Sequence, residues 1–442
     1  MRQMGLVVVS FAMLAARSWG QAPAYRYLSV EINKIQAVDD HTHVPRLTSP
    51  SERDDEYDAL PCSGYVEASD DPSMARPDNS LFLEAWQKLY GYKYQDKSPE
   101  HVKELVAAKA RVKQQQGDHY PAWVLDQLGI EYMLANRIAM GRGLDSSRFL
   151  WVPFDDALLY PLDTQAMADT PDRKFFYKRE AALVKKYVAD SGLKQTPAIL
   201  DNYVDQVLKP TLEQQKKAGA VAIKFEEAYL RSLNFAEPNE TKAREVFAQY
   251  AKGGAPSKME YTVLQDYLFR VTTREAGRLG LAVHIHTGAG CGSYFDLPGS
   301  NPGLLSSVLN DPTLRKTNFV LVHGGAGPYT KVAAFLIGKP NVYADFSEQD
   351  WMISPHALSV VLRDWLEWYP EKVMFGTDLF PGTPEMDWEE IGYMTAKTGR
   401  EALTLALAGM VEDGEITRER AVALARMVLR GNAVKIYGLA DQ

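Results

Sequence analysis

Five of the chain's eight histidines stand at or near the ends of short apolar runs, and one further run ends in aspartate. His41 and His43 follow Ala37-Val38-Asp39-Asp40, and His284 and His286 close the run that begins Leu281-Ala282-Val283. His323 closes Phe319-Val320-Leu321-Val322, and Asp378 follows Val373-Met374-Phe375-Gly376-Thr377. Side chains alternate along a strand, so His41 and His43 leave one strand end in the same direction, as two metal ligands on one wall do. Groups this far apart in sequence converge only if their strands lie side by side. The pattern points to a metal site at the mouth of a barrel. A lone histidine in an apolar run is more often a core residue with its hydrogen bonds met, but that does not explain an ordered set ending in Thr377-Asp378.

The elements that must hold these residues can be read from periodicity. Eight strands are expected, at Ile35–His41, Ile130–Asn136, Arg148–Phe154, Ala220–Phe225, Leu281–His286, Asn318–His323, Asn341–Phe346 and Lys372–Thr377. Helical stretches lie between most of them. Leu200, Tyr203, Val204, Val207 and Leu208 share one helical face ahead of Gly219, and Leu264, Tyr267, Leu268 and Val271 share another ahead of Gly280. Ala421, Leu424, Ala425, Val428 and Leu429 mark a last long helix, with Thr417 as its N-cap. Strands alternating with helices call for parallel pairing, and eight of them close into a (β/α)8 TIM barrel with its ligands at the strand C-termini. An open doubly wound sheet is the other arrangement, but it gathers ligands at one switch point instead of around a ring. Residues 44–129 and 155–219 are too long for bare loops and are expected to be helical insertions, after the first and third strands, that cap the active-site mouth.

Length and composition fit this picture. A barrel with insertions accommodates 442 residues as one domain. A net charge of −8 with no basic stripe argues against nucleic acid as a partner, leaving a small-molecule substrate and self-association. Arg2, the apolar stretch Leu6 to Ala16 and Ser18-Trp19-Gly20 read as an export signal over residues 1–20, so that a single domain, 21–442, is expected in the periplasm or outside the cell. That apolar stretch is well short of the ~20 residues a spanning helix needs, so stable membrane insertion is not expected. The two cysteines, Cys62 and Cys291, are too few for a disulfide framework, although an oxidising compartment permits one bridge between them.

Taken together, the order His-x-His, Lys224, His286, His323, Asp378 resembles the amidohydrolase superfamily of metal-dependent barrels. The phrases His286-Thr287-Gly288, Asn301-Pro302, Val322-His323-Gly324-Gly325, Asn341-Val342-Tyr343-Ala344-Asp345 and Gly431-Asn432-Ala433 through Tyr437-Gly438-Leu439 are similar to its amidohydrolase-2 branch. The resemblance implies that His41, His43, His286 and Asp378 hold one divalent metal, with zinc the expected ion. It also implies that His323 binds a second metal or contacts substrate. Zinc takes imidazole nitrogen and carboxylate oxygen, keeps a position open for water and lowers that water's pKa to about 7. Asp378 would then be both ligand and general base. Lys224 stands where two-metal relatives carry a carboxylated lysine, so it is a ligand only if carboxylated; otherwise it pairs with Glu226, Glu227 or a substrate carboxylate. Tyr229 and Arg231 resemble a subset in which the lysine is followed by these two types, and they are expected to hold an anionic substrate group. His284 lies deeper in its strand and is expected to support the site from behind.

The leading functional expectation is hydrolysis of an amide, lactone or ester bond in a small polar molecule. Non-oxidative decarboxylation, hydration or sugar-acid isomerisation on the same frame is the alternative, and fold does not choose between them. A non-catalytic exported metal-binding protein fits less well, because it has little use for a base carboxylate.

Overall fold

The structure, a computed structural model, describes residues 23–49, 52–61 and 72–439; the expected export signal and Cys62 lie outside the described residues. All eight strands form, as β1 (Ala37–Thr42), β2 (Ile130–Asn136), β3 (Phe149–Val152), β4 (Ala222–Phe225), β5 (Ala282–Gly288), β6 (Phe319–Ala326), β7 (Val342–Asp345) and β8 (Val373–Met374). They pair in parallel as β1-β2-β3 and β4-β5-β6-β7-β8. Isolated bridges Trp151–Ala220 and Phe154–Lys224 join β3 to β4. At the other seam the amides of Asp40, Asp378 and His43 donate to the carbonyls of Phe375, His41 and Leu379 at 2.8–2.9 Å. One apolar cluster confirms the ring. Val38, Leu134, Val152, Ala222, Ala282, Val320, Tyr343 and Met374, one from each strand, pack together with Ala433 and Val434. Those two residues belong to the final helix, Asn432–Tyr437, which plugs the barrel floor.

The strand ends differ from the periodicity reading in two places. β8 stops at Met374 because the chain beyond it bonds to β1 one contact at a time instead of in a ladder. In β1, Asp39 pairs with Met133 but Thr42 pairs with Ala135, so three steps oppose two, which is a β-bulge. The extra residue lets both Asp40 and His41 turn inward, towards Tyr437 and Lys224 respectively.

Helices wrap the ring as the sequence patterns require. The Leu200 face begins a continuous helical stretch to Lys217 that contains a π-turn over Val204–Leu208. The Thr417 hydroxyl accepts from the Arg420 amide, capping Arg418–Arg426. The first insertion holds helices Ser80–Tyr90 and Pro99–Gln116. The second holds Pro171–Asp190, whose Tyr177 and Tyr187 donate to the carbonyls of Leu230 and Phe154 and so brace the barrel wall. No helix of the described residues is long and apolar enough to cross a membrane.

Candidate functional site

The C-terminal strand ends surround a cavity of about 560 Å³. At its base His41 and His43, with ring centroids 5.1 Å apart, meet Asp378: Asp378 Oδ1 is 3.2 Å from His41 Nε2 and 3.6 Å from His43 Nε2. One ligand atom from each of these three residues lies within 4.8 Å of the other two. Asn136 Nδ2 holds His41 Nδ1 at 2.9 Å, and Lys224 Nζ lies 3.2 Å from His41 Nε2. The donor set, two imidazoles and a carboxylate, is one that a divalent ion accepts. Burial, and after it the Lys224 ammonium, holds His41 well below the usual imidazole range, which favours the neutral ring with one nitrogen lone pair to offer a metal. Burial and the nearby Glu348 push Asp378 well above the usual carboxylate range.

His286 and His323 form a second group beside the first. His286 Nδ1 is 3.1 Å from His323 Nε2, and His286 Nε2 is 2.7 Å from the Ala289 carbonyl. A carbonyl only accepts, so that ring nitrogen carries a proton. Both nitrogens of His286 are thus engaged, and it stands outside the His41, His43, Asp378 trio that sequence order grouped it with. To join that trio it would have to release one bond. His323 is fixed from behind by Ser347 Oγ, 2.9 Å from its Nδ1, and its amide donates to Asp345 Oδ1 at 3.0 Å.

Backbone strain collects at the same strand ends. Among the described residues the only non-glycine positive φ angles belong to His323 (65°), Glu348 (64°) and Asp378 (52°). Each such residue costs on the order of 1–3 kcal/mol, which the surrounding fold must supply. Gly324 has to be glycine for a related reason: at φ 53° a Cβ would sit 2.0 Å from the Trp365 ring.

The remaining expectations divide. Tyr229 lines the cavity, its ring 4.7 Å from His286. Arg231 does not line it. Its guanidinium bonds Gln265 Oε1 (3.0 Å), Asp266 Oδ1 (3.1 Å) and the Asn234 carbonyl (2.9 Å) and stacks on Phe235, so it ties two helical segments together and is not available to a substrate anion. Arg231 follows the turn Glu227–Leu230 after β4, and there its guanidinium is taken up by Gln265 and Asp266 of the helix Lys258–Leu279. The cap is also less symmetrical than expected. Tyr57, Asp58 and Pro72 of the first insertion line the cavity, whereas no described residue of 155–219 does. His284 lies behind the site, its Nε2 2.8 Å from Tyr437 OH, which in turn donates to Asp40. Cys291, on the cavity rim, is disulfide-bonded. Asp58, Glu226, Glu348 and Trp351 face the cavity without having been singled out as site residues, since none sits in a repeated pattern. Position one residue past β4 and three past β7 was the available signal for Glu226 and Glu348.

Comparisons with known proteins agree with this fold. The structure matches a protein from Lactobacillus casei ATCC 334 assigned as a metal-dependent hydrolase, with TM-score 0.61 at 15% identity over 93% of this chain and 97% of that one. Glucuronate isomerase from Caulobacter crescentus gives TM-score 0.62 at 13% identity, over 95% and 94%. At such identities the likeness is one of fold. Protein fluG of Emericella nidulans is 30% identical over 194 residues, which is 42% of this chain but only 21% of that protein. The family model described as Amidohydrolase matches residues 146–439, from just before β3 to the helix that plugs the barrel floor, and the chain therefore belongs to this metal-dependent family.

Proposed function

We propose that the protein is a hydrolase that cleaves an amide, lactone or ester bond of a small polar molecule, with Asp378 as the base. The observation that carries this reading is the position of Asp378: its carboxylate contacts both His41 and His43 while also lining the cavity. A divalent metal held by His41, His43 and Asp378 would supply Lewis acidity towards water and the scissile carbonyl. Asp378 takes the proton from the attacking water and passes it to the leaving group, a task suited to a carboxyl that lines the cavity beside both histidines. His323, pinned by Ser347 and Asp345, lines the cavity, and its Nε2 reaches the substrate's carbonyl oxygen by exchanging its bond to His286 for one to the substrate. Lys224, fully buried against His41, fixes the orientation of that ring.

Decarboxylation and sugar-acid isomerisation both begin with an anionic substrate, and the cavity wall counts against them. It carries Asp58, Glu226, Glu348 and Asp378, and no Lys or Arg among the described lining residues. Two measurements test the proposal. Purified protein should hold about one divalent ion per chain, lost in the His41→Ala/His43→Ala double variant; full occupancy in that variant would refute the site. Product analysis over a panel of amides, esters, lactones and sugar acids should show water consumed and no CO₂ released.

A further inference from the structure

One wall of the cavity carries two carboxylates that the reaction proposed above does not use. Asp58 comes from the segment after β1 and Glu226 from the residue just past β4. With His43 Nδ1 they form a group in which one polar atom of each lies within 4.8 Å of the others. Glu226 is 3% exposed, and its Oε2 has no hydrogen-bond partner among the described residues. A buried carboxylate oxygen left unmet is costly, so its persistence on a cavity wall points to a ligand that meets it. Glu348, 5% exposed, presents a second such oxygen to the cavity. Tyr57, Tyr229 and Trp351 supply aromatic surface on the same lining.

The occupant should be a cation with hydrogen atoms to donate. Lys224 is the nearby positive charge, but it is wholly buried and directed at His41. The stretch 62–71 contains Glu67, Asp70 and Asp71 and neither Lys nor Arg. A second divalent ion fits poorly between Asp58 and Glu226. His43 Nε2 faces Asp378, so when that nitrogen serves as a ligand the proton sits on Nδ1. Nδ1 then offers an N–H towards Asp58 Oδ2, 3.5 Å away, instead of a lone pair. Two carboxylates alone remain, a thin donor set for an ion. A primary ammonium suits them better, having three donors for the carboxylate oxygens and a positive charge for the aromatic faces.

We propose that Asp58 and Glu226 form a subsite for a primary ammonium group, so that the substrate is a small amide, ester or lactone bearing an amine. The proposal rests on the catalytic reading of this cavity, but binding can be measured without turnover. Calorimetry at neutral pH on the metal-loaded protein would compare butylammonium with 1-butanol, and wild type with Glu226→Gln, with metal content determined in parallel. Wild type should bind butylammonium about tenfold or more tightly than the alcohol, and added salt should weaken that binding. Glu226→Gln should lose that advantage and keep its metal. Equal affinity for the two probes in wild type would overturn the proposal without reference to any variant. An unchanged butylammonium affinity in Glu226→Gln would also overturn it, since it would mean the amine binds elsewhere. So would stoichiometric loss of a metal ion in that variant, which would assign the pair to an ion. If no panel compound is hydrolysed while the Glu226-dependent amine binding persists, the hydrolase reading falls and the subsite stands.

Discussion

Asp378→Asn separates base catalysis from architecture because it keeps the shape and backbone of the side chain, and metal content is read on the same samples because Asp378 is also one of the three proposed ligands. Asp378 has φ 52°, a left-handed conformation that asparagine tolerates as aspartate does. Alanine there would add about 1–2 kcal/mol of backbone cost. In the metal-free protein the carboxyl is buried with its pKa raised, so an amide of the same shape forfeits no favourable ionisation and should leave the stability of that form equal or slightly higher. Loss of a positioned base costs about 10²–10⁴ in turnover, or roughly 3–5 kcal/mol of transition-state stabilisation. Because the base must be unprotonated, wild-type activity rises as pH rises through the Asp378 pKa, which a bound divalent ion sets lower than burial alone would. That limb should vanish in the variant. Initial rates across pH, melting temperature and metal content on the same samples form the assay. A metal-replete Asp378→Asn protein with nearly unchanged turnover and an intact acid limb would refute the mechanism, leaving the barrel untouched.

Arg231→Met should act on stability and not on substrate binding: it strands Asp266, 7% exposed on its side chain, and a broken buried pair costs about 3–5 kcal/mol. Chemical denaturation should show that loss with KM unchanged, and a raised KM at unchanged stability would restore Arg231 to the substrate site. Asp155 is raised to about 7 by burial, an effect the Gln215 hydrogen bond only partly offsets. The folded protein therefore keeps a proton that the unfolded chain releases between about pH 4 and 7, and the contribution of Asp155 to stability falls as pH rises through that window. Asp155→Asn should be more stable than wild type at pH 8, by on the order of 2–4 kcal/mol, with the difference disappearing near pH 4; equal unfolding curves at pH 8 would contradict it. Reduction should lower the melting temperature by releasing Cys291, and two free thiols per chain in unreduced, denatured protein would exclude the bridge.

Much of the ring was legible because its signals are local. Each strand is a short apolar run, His41 and His43 share a direction through a period of two, and the Thr417 cap is a nearest-neighbour effect. Arg231 went astray for the opposite reason. Its partners Gln265 and Asp266 lie in a different helix, and nothing near residue 231 records that they face it. The pairing of His286 with His323 was hidden in the same way, since it depends on how far β5 and β6 extend past their histidines. The role of Asp58 depends on the path of a loop that has no periodicity, and it comes into view only once that loop folds over the barrel mouth.

The seam between β1 and the chain beyond β8 has a kinetic consequence. Thr377 donates from both its amide and its hydroxyl to Asp39, a residue 338 positions earlier, and His41 and Asp378 flank that same joint. Contacts separated by so much chain carry the largest loop-closure cost and form late. A refolding molecule would therefore recover helix and strand signals well before the two ends of the ring meet, and it would have no working site until they did. Enzymatic activity of metal-replete protein is accordingly a strict gauge of whether a preparation has finished folding, and a metal-replete preparation with a native far-ultraviolet spectrum and low specific activity is expected to contain rings that have not closed.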